Sequence, residues 1–145
     1  MKNKVWAGFS ASMVLALGMA AHMPVFALDA SEGVKATVIL NSDSSWNGAK
    51  LAYPEGQAEV TGMIIEVAPG AETGWHLHSV PSFAYLLEGN LEVTLKSGDT
   101  KSLTAGEALS EVVNTLHNGR NVGDVPVKLV VFYAGAAGST LTEKP

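Results

Sequence analysis

A chain of 145 residues, 47% apolar and 16% charged, can bury one core and is neither disordered nor a coiled coil. Its formal net charge of −5 argues against nucleic acid or an anionic membrane surface as partner. The absence of cysteine excludes disulfides, thiolate metal sites and a cysteine nucleophile.

The chain opens with Lys2 and Lys4, and Val5–Ala27 then carries no formal charge. Met13–Ala21 is a short apolar run, and Val25 and Ala27 place small residues at −3 and −1 of a cut before Leu28. Residues 1–27 therefore read as a signal peptide, directing the protein to a periplasm or the outside. The competing reading is an uncleaved anchor. It is opposed by His22, Pro24 and the short run, because a spanning helix needs roughly twenty apolar residues. Cleavage removes two lysines and no acid, so the mature domain, 28–145, is more acidic still and keeps no membrane segment. Met63 is then the sole methionine, and His76, His78 and His117 are the sole histidines.

In the mature chain Leu28–Val34 reads as a flexible start and Lys35–Leu40 (KATVIL) as a first strand. Asn41–Lys50 is a polar loop, with Trp46 as the side chain that packs it onto the body. Ala58–Ala68 alternates as a strand, Met63, Ile65 and Val67 sharing one face, until Pro69-Gly70 breaks it. Trp75–Ser79 and Phe83–Glu88 read as consecutive strands around Pro81. Leu91–Lys96, Thr100–Thr104 and Ala108–Val113 follow, separated by Gly-containing turns. Asn118–Asn121 has turn composition, and Asn121 is expected to fix the loop behind His117. Val127–Tyr133 is the most apolar strand and is expected to be buried on both faces. The segment Ala134–Pro145 reads as a frayed tail. Many short strands at turn spacing, with no persuasive helix, predict a single all-β sandwich or small barrel.

His76 and His78 stand two apart, so on a strand their rings leave from the same face. A fold that joins distant strands can add His117 and close three imidazoles on one metal ion. The bland alternative is two polar strand residues facing water and a third, unrelated surface or core histidine. Glu111 is a carboxylate in an otherwise apolar strand. It faces solvent by default, but could instead serve as a ligand, support an imidazole, or act as a general base, and is the candidate catalytic residue. Tyr85 shares parity with Phe83, which places it on the face away from Ser82.

Two spacings carry a family resemblance. Gly70, His76, His78, Ser82 and Gly89 follow the first motif of the cupin superfamily, and Gly106, His117 and Asn121 follow the second. The resemblance covers about Met63–Val131. It implies a double-stranded β-helix, or jelly-roll barrel, with a metal held at one end by His76, His78 and His117. The family's usual glutamate ligand falls on Ser82, and Val112 and Asn114 stand where Pro and Gly are frequent, so the turn before His117 is open to a different shape.

Without that glutamate, three neutral imidazoles leave the full charge of a divalent ion uncompensated, which favours anionic or chelating ligands. Imidazole suits Zn, Cu, Fe and Ni without choosing among them, and Mn, available in an exported compartment, completes the candidate ions. The expected function is a metal-binding cupin resembling the dioxygenases of this fold and acting on a small chelating substrate. The alternative is a non-catalytic cupin that holds a metal or small ligand. Arg120 is the only arginine, so a strongly anionic substrate is not favoured. The family also implies a homodimer formed by packing sheet on sheet, with which the apolar Val127–Tyr133 is compatible.

Overall fold

The computed structural model describes residues 33–145, and the signal peptide assigned to 1–27 lies outside the described residues. Seven strands form: β1 (Ala58–Val67), β2 (Ser82–Glu88), β3 (Asn90–Leu95), β4 (Thr100–Thr104), β5 (Ala108–Ser110), β6 (His117–Asn121) and β7 (Val127–Ala136). They make two antiparallel sheets, one in the order β1-β7-β2-β5 and the other β4-β3-β6. No helix occurs among the described residues. This is the all-β double-stranded β-helix that the two motifs imply.

Alternation explains the core. In β3, Leu91, Val93 and Leu95 are buried while Glu92 and Thr94 are half-exposed, as a strand with one buried face requires. The inward set of β7 (Val127, Leu129, Val131 and Tyr133) meets Leu86 of β2 and Leu109 of β5. The β2–β3 turn depends on Gly89, which has φ +83°, and a Cβ there would lie 2.8 Å from the carbonyl of Pro126.

Several local expectations give way. Lys35–Leu40 forms no strand; Val38 and Ile39 are 60% and 56% exposed. Strand propensity reflects fit to a half-buried pleated surface, and without a neighbouring strand the pattern does not suffice. β7 is buried on one face only, with Phe132 on the other 51% exposed. Trp75–Ser79 is held by isolated bridges rather than a continuous ladder, and β5 ends at Ser110. Asn118–Asn121 is not a turn but most of β6, because its backbone pairs with β3 from Leu91 to Thr94. Asn121 is buried all the same. Its amide donates to the carbonyls of Val67 and Val125, and its oxygen accepts from the Gly123 amide.

Candidate metal centre and its polar wall

Chain pairing brings the three histidines together. His76 and His117 exchange both backbone hydrogen bonds, at 3.0 and 2.9 Å, so the first motif is laid against the first residue of β6. His78 lies two residues along, and its carbonyl accepts from the Asn114 amide at 2.7 Å. The three ring centroids are 4.3 to 4.9 Å apart, and one ligating nitrogen from each ring lies within 4.8 Å of the others.

The rings are also oriented. Nδ1 of His76 lies 2.7 Å from the carbonyl of Gly74, that of His78 3.0 Å from Leu141, and that of His117 2.9 Å from Thr115. A carbonyl only accepts, so each neutral ring carries its proton on Nδ1 and leaves the Nε2 lone pair free. This outer support is what a metal-binding imidazole requires. Burial pushes His78 down to about 4, with the neighbouring His117 acting in the same direction. Burial also lowers His76, so both rings are held in the uncharged form that a metal needs. The residues present therefore fit a divalent ion.

Asn114 explains how the second motif works without glycine. Its φ of +49° is the only positive value at a non-glycine position among the described residues, and asparagine tolerates that region. The turn keeps a backbone that glycine would also supply, and it delivers His117 at the start of β6.

Facing the imidazoles is a row set by register. Ser82 pairs with Tyr133 of β7 on one side. On the other side it stands opposite Glu111, whose amide donates to the Ser82 carbonyl at 3.0 Å, one step beyond the Phe83–Ser110 pair. Tyr133, Ser82 and Glu111 all line a cavity of about 70 Å³ with the three histidines, and below them the lining turns apolar with Ala84, Leu109 and Val131. Tyr133 meets the His78 ring edge-on at 5.2 Å. Tyr85 pairs with Val130 on the outer face. Trp75 stacks beneath the Lys96 ammonium, 3.6 Å from the ring centre.

Two parts of this site were not legible as such. The segment read as a frayed tail is bonded in. Leu77 and Glu143 exchange two backbone hydrogen bonds of 2.9 Å, the Leu141 carbonyl orients His78, and Thr142 Oγ1 lies 3.2 Å from the same Nδ1. The polar loop reaches the site as well: the Trp46 amide donates to the Ser110 carbonyl, and its indole N–H donates to Glu111 Oε1 at 2.8 Å. An indole and a threonine carry no signal for such contacts in a lone sequence.

Comparison with known proteins agrees with this architecture. Residues 63–133 match the family model described as a cupin domain. Among solved structures, BH2720 of Bacillus halodurans is 22% identical with a TM-score of 0.50, over 57% of this chain and 68% of that one. The oxalate decarboxylase of Lactobacillus farciminis, as a formate complex, is 22% identical with a TM-score of 0.52, over 61% and 27%. The DMSP lyase DddQ of Ruegeria pomeroyi is 18% identical with a TM-score of 0.51, over 58% and 42%. The match therefore spans less than half of either enzyme. No curated protein sequence matches the chain at a significant level. With the matched segment running from β1 to β7, and both histidine motifs inside it, the chain belongs to the cupin superfamily.

Proposed function

We propose that this protein is an exported cupin that binds one divalent transition metal through His76, His78 and His117 and acts on a small chelating organic molecule. The observation that carries the reading is the set of three rings, each with Nδ1 turned to a carbonyl and Nε2 left free beside a cavity. A bound ion would supply Lewis acidity and, if it were iron or manganese, a redox centre for dioxygen. The chain's own residues set the rest. Burial keeps the lone pairs of His76 and His78 free at neutral pH, and the apolar lower cavity excludes water from the ligand's far end. Among the described residues no lysine or arginine lines this cavity, so charge on an anionic ligand would be met by the bound ion and by Lys144, which lines the adjoining pocket with His76 and His78.

Dioxygenase-like chemistry is the reading to test. Elemental analysis of protein recovered from its native compartment, with oxygen uptake on enol and diketone substrates, is the experiment. Iron or manganese together with substrate-dependent uptake supports an enzyme. Stoichiometric zinc with no turnover of any chelating substrate overturns catalysis in favour of a binding protein. Export is supported by the 1–27 leader composition and is tested by the amino terminus of the recovered protein, expected at Leu28.

The outer face of the four-stranded sheet carries Val60, Ile64 and Phe132, which are 66%, 64% and 51% exposed. An apolar strip of this kind fits a homodimer built sheet on sheet. Sedimentation of the wild type and of Ile64→Glu tests it, with a dimer converted to monomer as the expected result.

A further inference from the structure

Glu111 and Ser82 are left with unspent hydrogen-bonding capacity inside the cavity. Both hydrogen bonds described for the Glu111 carboxylate fall on one oxygen: the Trp46 indole N–H and the Val112 amide each donate to Oε1 at 2.8 Å. Among the described residues, none is bonded to Oε2. Among the described residues, Glu111 is also the only carboxylate, lysine or arginine in the cavity lining. Beside it, Ser82 is 2% exposed, and its hydroxyl is buried with no partner among the described residues. A buried hydroxyl without a partner is costly, and one on a residue that lines a cavity can be satisfied by what enters it.

We propose that Glu111, positioned by Trp46, together with Ser82, forms a ligand-recognition pole that selects molecules carrying an O–H donor next to a carbonyl. This rests on the reading of the site as a metal-dependent ligand pocket. The carboxylate accepts the ligand's hydroxyl proton in a hydrogen bond. The serine hydroxyl, able to donate or accept, takes the neighbouring oxygen. A neutral hydroxyketone or its enol suits this wall, whereas a carboxylate placed directly beside Glu111 meets like charge. Trp46 does not line the cavity. Its role is positioning: it fixes one carboxylate oxygen so that the other faces the ligand. It sits upstream of the segment 63–133 that matches the family, so the device belongs to this chain's own loop.

The test uses the mature protein loaded with zinc and titrated with hydroxyacetone and with methoxyacetone, read by ¹H–¹⁵N NMR. Wild type is expected to prefer hydroxyacetone. Glu111→Gln keeps an oxygen for the Trp46 indole but turns a donor towards the ligand, so the preference should fall about tenfold, as loss of one charge-assisted hydrogen bond implies. Comparing the two ligands across the substitution cancels their differences in size and chelation. The Trp46 indole resonance should move on adding hydroxyacetone in wild type and much less in Glu111→Gln. Trp46→Phe should lower the preference about threefold while leaving zinc stoichiometry intact.

Ser82→Ala separates recognition from structure. Removing an orphan hydroxyl should leave the melting temperature equal or higher while hydroxyacetone binds more weakly. An unchanged ligand ratio in Glu111→Gln, with zinc bound at one per chain, overturns the proposal and leaves the metal reading standing. Failure of wild type to bind zinc overturns both.

Discussion

Two layers of the same barrel, one residue pair apart along the strands, behave differently. In the lower layer Val131, Ala84 and Leu109 face one another across β7, β2 and β5. In the upper layer the same strands present Tyr133, Ser82 and Glu111 to three imidazoles. Below, any well-packed apolar set of equal volume would serve. Above, every atom has a direction, and the directions are supplied from outside the strands by Gly74, Thr115, Leu141 and Trp46. The lower layer provides rigidity and the upper layer spends it on orientation.

The largest effect should come from breaking the upper layer. The double substitution His76→Ala/His117→Ala is expected to lower metal affinity at least 100-fold while the sheets remain folded, as measured by zinc titration alongside circular dichroism. Unchanged metal content would remove the three-histidine reading. The lower layer should respond the other way. Leu86→Ala, at a side chain 1% exposed, is expected to cost about 3 kcal/mol of stability by leaving a cavity, with metal stoichiometry preserved in chemical denaturation of the holo form.

Acid sharpens the same contrast. The folded-state value of His78 lies near 4, against 6.5 for the free side chain, so the native state binds fewer protons than the unfolded chain between those values. Metal-free protein should therefore hold its full stability above about pH 6.5 and lose about 3 kcal/mol as the pH falls towards 4. A denaturation series showing no loss across that window would mean that His78 is not buried as a neutral ring. The smallest effect is at the turn leading to His117. Asn114→Gly should be neutral within about 0.5 kcal/mol, whereas Asn114→Val, forced to adopt positive φ, should cost about 1 to 2 kcal/mol by thermal denaturation.

What the sequence disclosed follows from the same division. The all-β fold was legible because alternation in β1, β3 and β7 is a local property of the chain. The meeting of His76, His78 and His117 was legible because two spaced motifs account for every histidine beyond residue 27. Glu111 was legible as a candidate but not in the face it presents: parity is lost where β5 ends at Ser110 and the backbone turns through Asn114, so only the pairing with Ser82 reveals it. The strand character read into Lys35–Leu40 failed because a strand is defined by its neighbour, which no window of sequence contains. Asn118–Asn121 misled for the opposite reason. Its turn-forming residues serve cross-strand needs, with the Asn118 amide donating to Glu72 and Gly119 leaving room for Thr73.

The bond between Leu141 and His78 has a temporal meaning. A chain emerging amino end first exposes both histidine motifs long before residue 141 has appeared, and until then the His78 ring has no partner to fix its tautomer. The geometry that would hold a metal at the three rings is thus complete only after everything through β7 and the segment up to Leu141 has been made.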